Sequence, residues 1–311
     1  MPRRVAPAQA AARFVGLLVL LGVAACTSSA NTVCRTEIPV EPGQRLLIAT
    51  LTVDGKPARG ILDTGAQGSA VTDALVTRLG LLSDPRNGSL VSGVGGEGMP
   101  QNDALVRQFE LAGFDPLNGH YPVIALPAGA APGAEPLGAL VGADVLSHFD
   151  IEIDLPDNKL VLYDPDRCAM PLPGWSGPMT ELPLSITWSG RPKLTVKLDG
   201  HDIDALLDSG ATQSVIDLPA AEKLGLSWDM LKTEKGSEGF GAAGVNFQRV
   251  PHTFEILDIG GETIPAPRLE VLDRSLREAD MLLGLDWMRT HRVFISYRRH
   301  RLFIARPVGI G

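Results

Sequence analysis

The stretch Ile61–Val71 reads ILDTGAQGSAV, and Leu206–Ile216 reads LLDSGATQSVI. In each, an apolar run ends on an aspartate, Asp63 or Asp208, followed by a hydroxyl residue, a glycine and small side chains. A carboxylate at the end of a buried strand is costly unless it is partnered. Finding the arrangement twice in one chain directs attention to the sequence around it.

Working outward from the two aspartates, the chain repeats itself. Gly55 and Gly200 stand eight residues upstream, each after an aspartate. An Asp-Gly pair between apolar runs predicts a hairpin. Gly80 and Gly225 stand 17 residues downstream, closing the helix-like segments VTDALVTRLGL and DLPAAEKLGL. At 33 residues Gly96 and Gly241 lie in glycine-rich stretches, and at 46 Phe109-Glu110-Leu111 faces Phe254-Glu255-Ile256. The copies then slip by three residues, assigned to the Pro/Ala/Gly loop at 126–138. Beyond it ALVGADVLSHFDIEIDLPDNKLVLY aligns with MLLGLDWMRTHRVFISYRRHRLFIA, with Gly142 opposite Gly284. Each of these segments reads as strand, polar turn and strand. Residues 164–183 between the copies read as a linker.

Composition narrows the class. The chain has 311 residues, 44% hydrophobic and 21% charged, which is globular. Its 34 glycines and 24 prolines suit strands and turns better than a helical bundle. A net charge of −8 offers nothing to neutralise phosphates, so no nucleic-acid partner is expected. The six histidines show no metal-ligand spacing, and neither metal nor cofactor is expected. GWSGP at Gly174 lacks the spacing of a serine nucleophile elbow. The basic run Arg298–Arg301 reads as a solvated turn between the last two strands.

An Asp-Thr/Ser-Gly turn after an apolar strand makes chemical sense as half of a site. The glycine lets another loop approach closely. The hydroxyl can bond across to that loop. Two carboxylates brought to about 3 Å cannot both ionise, so they share a proton. The ionised one can then act as base toward water while the protonated one donates to a carbonyl oxygen, the pair titrating as a unit.

This pattern resembles the aspartic peptidases, and more closely their retropepsin-like branch. The resemblance rests on ILDTGA and LLDSGA, with Ala66 and Ala211 after the glycines, and on LVGADVL and LLGLDWM. It covers roughly Arg45 to Tyr163 and Arg191 to Ala305. It implies an all-β fold of two tandem closed β-barrel halves with short helices, packed as an intrachain pseudo-dimer. The implied segments are a leader at 1–25, an N-terminal linker at 26–43, a first half at 44–165, a linker at 166–185 and a second half at 186–307. Asp63 and Asp208 would be catalytic, Thr64 and Ser209 the hydroxyl brace, and Gly65 and Gly210 the turn glycines. Two flaps are implied, at 93–99 with Gly93, Gly95 and Gly96, and at 239–244 with Gly239, Phe240 and Gly241. Retropepsins are normally homodimers of a single half, whereas both halves here lie in one chain, and only the second flap carries an aromatic residue. The resemblance implies a monomeric endopeptidase acting on peptide or protein substrates. A catalytically silent peptide-binding protein of the same fold is the alternative, and pairing of each half with a second chain is a third reading.

The N-terminus carries Arg3, Arg4 and Arg13, then FVGLLVLLGVAAC at 14–26. This reads as the charged and apolar regions of a signal peptide, too short for a comfortable membrane span. Val23-Ala24-Ala25-Cys26 resembles the lipobox of bacterial lipoproteins. That resemblance implies cleavage before Cys26, a lipid on its thiol, and anchoring in a bacterial cell envelope facing the periplasm. Thr27 after the cysteine, in place of aspartate, favours the outer membrane. A plain signal peptide or an uncleaved anchor stays open. With Cys26 lipidated, Cys34 and Cys168 remain, either as a disulfide in an oxidising compartment or as two free thiols.

Overall fold

The computed structural model describes residues 34–94, 98–114, 117–126, 135–167, 172–240 and 246–306. The leader with Cys26, the flap residues Gly95, Gly96 and Gly241, and Cys168 lie outside the described residues.

The first copy contains β1 (Arg35–Pro39), β2 (Ile48–Val53), β3 (Lys56–Leu62), β4 (Ala70–Thr72), α1 (Asp73–Leu79), β5 (Leu82–Val91), β6 (Met99–Glu110), β7 (Leu117–Ile124), β8 (Ala139–Val141), α2 (Ala143–Leu146), β9 (Asp150–Asp154) and β10 (Lys159–Tyr163). The second contains β11 (Thr180–Pro183), β12 (Ser185–Ile186), β13 (Pro192–Leu198), β14 (His201–Leu207), β15 (Val215–Asp217), α3 (Leu218–Lys223), α4 (Trp228–Leu231), β16 (Ser237–Phe240), β17 (Asn246–Thr253), β18 (Ile256–Ile259), β19 (Glu262–Pro265), β20 (Arg268–Leu272), β21 (Met281–Leu283), α5 (Leu285–Met288), β22 (Arg292–Ser296) and β23 (Arg301–Ala305).

Local chemistry sets these elements. Asp54-Gly55 and Asp199-Gly200 both adopt positive φ, the backbone that a two-residue hairpin turn demands. The β13 sequence PKLTVKL alternates, turning Leu194, Val196 and Leu198 into the core and Thr195 and Lys197 outward. Thr72 caps α1 by accepting from the Leu75 N–H, and Asp217 caps α3 through the Ala220 N–H.

In the first half the strands run β2-β3-β8-β4-β7-β6, and β6 returns to pair with β2, which closes the barrel. The second half repeats this path as β13-β14-β21-β15-β20-β17, with β18 completing the return to β13. The pairing corrects the repeat read from sequence. Val53 faces Phe109 and Leu198 faces Leu257, so Phe109 corresponds to Leu257 and not to Phe254. Asp54 shows the same register by accepting from the Arg107 and Gln108 N–H groups, as Asp199 does from Glu255 and Ile256. The copies therefore slip twice. The first slip lies between the α1 and α3 region and the flap hairpin, where α4 has no counterpart in the first half.

The halves are joined by a six-stranded sheet of order β1-β10-β9-β22-β23-β11. At its centre β9 pairs antiparallel with β22, Ile153 facing Val293. Its edges are β1 and β11, which fall in segments read from sequence as linkers. One face, with Ile151, Ile153, Leu160, Leu162, Val293, Ile295, Leu302 and Ile304, merges with the main core. The other carries Val161, Tyr163, Phe294 and Phe303 beneath Trp175 of the connecting segment. Burial on both faces explains why β9 is buried at every position.

Candidate active site

The two aspartates end equivalent strands. β3 pairs in parallel with β8, and the Asp63 N–H donates to the Val141 carbonyl at 2.9 Å. β14 pairs in parallel with β21, and the Asp208 N–H donates to Leu283 at 3.0 Å. The chain then turns sharply, and each carboxylate fastens its own loop. Asp63 Oδ1 accepts from the Gly65 and Ala66 N–H groups, both at 2.9 Å. Asp208 Oδ1 accepts from Gly210 at 2.9 Å and Ala211 at 3.0 Å.

The turns meet across the pseudo-two-fold axis. Thr64 Oγ1 donates to the Leu207 carbonyl and Ser209 Oγ to the Leu62 carbonyl, each at 2.7 Å. A Cβ built on Gly65 would fall onto the Asp208 carboxyl group, and one on Gly210 onto that of Asp63. Glycine is required at both positions because the opposing carboxylate occupies the space of a side chain. The two carboxyl groups are thereby brought together at the centre of the paired turns.

Burial dominates the electrostatics of both carboxyls. Burial pushes the Asp63 carboxyl well above the ordinary range, reinforced by the charge and hydrogen bond of Asp208. Burial also raises Asp208. There it is opposed by the Gly210 N–H, the hydrogen bond with Asp63, the Ala211 N–H and the charge of Arg191. Both carboxyls are thus raised by burial, and a pair in such contact titrates as a unit, with one proton shared between its members.

Behind each turn lies a second matched pair. Ser69 donates its N–H and hydroxyl to Asp144 at 2.9 and 2.7 Å, and its oxygen accepts the Gly142 N–H at 2.9 Å. Ser214, Asp286 and Gly284 repeat this at 2.9, 2.7 and 3.0 Å. The sequence reading passed over these residues, although each serine stands six positions after its aspartate in both copies. It also missed Arg191. Its Nη1 donates to the Gly65 carbonyl at 3.3 Å, and its Nε to Ser189 Oγ at 2.9 Å and Glu278 at 3.1 Å. Burial raises the Glu278 carboxyl, but Ser189 and Arg191 outweigh it and hold the group below its ordinary value. The strand register places Leu46 opposite Arg191 in the first half, so matching the copies gave no sign of it.

Of the flap residues, Gly93 lies between β5 and β6, beside Val94, which packs on the second half's cluster of Leu206, Val215, Leu272 and Leu282. Gly239 and Phe240 are in β16, which pairs with β17. Cys34 is disulfide-bonded. Among the described residues no group of three or more His, Cys, Asp or Glu is placed to hold a metal ion.

Comparison with known proteins bears on each copy separately. Residues 49–145 match the family model described as "Aspartyl protease". Residues 194–290 match the one described as "gag-polyprotein putative aspartyl protease". This chain carries two retropepsin-like aspartic protease domains. Curated relatives include DNA damage-inducible protein 1 of Kluyveromyces lactis, 31% identical over 128 residues, 41% of this chain and 29% of that protein. The UBA domain-containing protein Mud1 of Schizosaccharomyces pombe is 32% identical over 111 residues, 36% of this chain and 32% of that one. The chain thus spans about a third or less of the length of these relatives. A solved retropepsin-like aspartic protease from Rickettsia conorii aligns at 19% identity and a TM-score of 0.34, over 43% of this chain and 96% of that one. The all-β fold of two tandem retropepsin-like halves expected from the sequence is the fold observed.

Proposed function

We propose that this chain is an aspartic endopeptidase whose paired carboxyls, Asp63 and Asp208, activate water against a peptide bond. The observation that supports the reading is the close approach of the two turns, each carboxyl lying where a side chain on the opposite turn glycine would stand. The ionised member of the pair, drawn here as Asp208, takes a proton from a water lying between the two. The resulting hydroxyl forms a bond to the carbonyl carbon while Asp63 gives its proton to the carbonyl oxygen. In the next step one hydroxyl of the diol returns a proton to Asp63, the C–N bond breaks, and the proton on Asp208 passes to the leaving nitrogen. Thr64, Ser209, Gly65 and Gly210 hold the geometry, and the two flaps cover an extended substrate.

The same proposal places the mature chain on a bacterial envelope membrane, through lipid on Cys26, with both halves in the periplasm. Its support is the leader sequence. Among the described residues no helix is long and apolar enough to cross a membrane.

The test is digestion of an unfolded protein between mildly acidic and neutral pH, with Asp63→Asn and Asp208→Asn as controls. Cleavage by the native chain and by neither variant is expected. Peptide binding without turnover at any pH would replace the enzyme with a silent peptide-binding protein.

A further inference from the structure

The loops that lead into the first long strand of each half, β2 and β13, occupy corresponding positions at the two ends of the pseudo-two-fold arrangement and differ in the charge around them. At one end the loop between β12 and β13 lies against the first half's turn, with Arg191 on the Gly65 carbonyl. There Arg191 is paired with Glu278, and Lys193 with Asp204 at 2.7 Å. Each cation has its acid, and the exposed face of Trp188 completes a pocket of about 290 Å³.

At the other end the corresponding loop, Gly43–Arg45, lies against the second half. Arg289, following α5, donates Nη2 to the Gln44 carbonyl at 2.7 Å and to that of Arg45 at 3.1 Å. With Thr212, four residues past Asp208, these residues line a second pocket of about 290 Å³. No carboxylate lies within ion-pair distance of Arg45 or Arg289 among the described residues, and neither the Arg45 guanidinium nor the Thr212 hydroxyl has a hydrogen-bond partner among them. The pocket thus gathers two cationic side chains and a hydroxyl with no acid of their own among the described residues. A carboxylate in the pocket would be attracted by both charges and accept bidentate hydrogen bonds from a planar guanidinium, with the threonine hydroxyl as a further donor.

We infer that the pocket formed by Arg45, Thr212 and Arg289 is a carboxylate-binding subsite, taking an acidic side chain or the C-terminal carboxylate of an extended peptide on one side of the Asp63–Asp208 pair. The inference rests on reading the cleft as a peptide-binding site. It selects substrates acidic on that side only, because the opposite end already neutralises its own arginine.

The test is equilibrium binding, so that it does not depend on turnover. Fluorescent extended peptides are titrated into the Asp63→Asn chain, with Glu, Gln or Lys walked through the positions and with amidated or free C-termini. At one or two adjacent positions Glu should bind about tenfold tighter than Gln, in line with a charge-assisted hydrogen bond. If the free terminus alone gives this gain, the carboxylate is the C-terminal one. Arg45→Glu should reverse the preference toward Lys. That side chain makes no hydrogen bond or ion pair among the described residues, so the change does not threaten the fold. Arg289→Gln should abolish the preference. Equal binding of Glu and Gln at every position, no binding of any peptide, or a preference surviving Arg45→Glu overturns the inference. Absence of cleavage by the native chain alongside a clear acidic preference would instead sink the peptidase reading and leave the pocket standing.

Discussion

Thr64 and Ser209 each donate a backbone N–H to the other's hydroxyl oxygen, at 3.0 Å in both directions. Both are buried, so losing one hydroxyl leaves groups of the opposite loop without a partner and without water. Thr64→Ala orphans the Ser209 N–H and the Leu207 carbonyl, at about 1–3 kcal/mol for each group. Thr64→Ser keeps the hydroxyl and should stay within about 1 kcal/mol of the native chain. Urea unfolding distinguishes them, and equal midpoints for the Ala and Ser variants would contradict the brace.

Stability should depend on pH through Asp63. Its carboxyl is raised in the folded chain, so as pH rises the unfolded chain gives up this proton first. The stability it contributes is full below the ordinary carboxylate pKa and is lost as pH climbs through the raised value. Asp63→Asn removes this titration. The melting temperature of the native chain should therefore fall relative to Asp63→Asn as pH increases from about 4. A constant difference across the range would mean that the pair holds no proton above the ordinary carboxylate range.

Arg191 is expected to set the acid limb of the pH–rate curve. Its charge is among the influences that hold the Asp208 carboxyl down. Arg191→Gln should let that carboxyl rise and move the acid limb to higher pH, narrowing the bell from one side. Glu278→Gln leaves the guanidinium without its acid and should shift the limb the other way. Identical profiles for both variants would reduce Arg191 to a structural strut.

Active chains should be monomers. Because β9 and β22 pair within one molecule, the two aspartates meet without a partner chain. Mixing Asp63→Asn with Asp208→Asn protein should restore no cleavage, with a monomer mass in sedimentation. Recovered activity with a dimer mass would show that halves pair between chains.

Much of this architecture could be read from residues whose effect is local. The Asp-Gly turns, the glycines closing the helices and the apolar runs before Asp63 and Asp208 act within a few positions of themselves. What escaped reading depends on distant strands. The match of Phe109 to Phe254 looked sound by spacing, yet register is set by partners such as Asp54 with Arg107, more than 50 residues away. β1 and β11 are short, carry proline and sit at sheet edges, so no alternating pattern marked them. Arg191 escaped for the opposite reason. Comparing copies detects what they share, and Arg191 with Glu278 belongs to one copy alone.

The shared sheet of β9 and β22 also changes how such a protein can vary over generations. In a protein made of two identical subunits, every substitution is written on both sides of the axis, so a change that helps one side must be tolerated on the other. Here the sides are separate stretches of one gene. Leu46 and Arg191, or the pocket of Arg45 and that of Glu278, can drift apart while Asp63 and Asp208 stay matched. A symmetric chemistry is thereby free to acquire a left and a right.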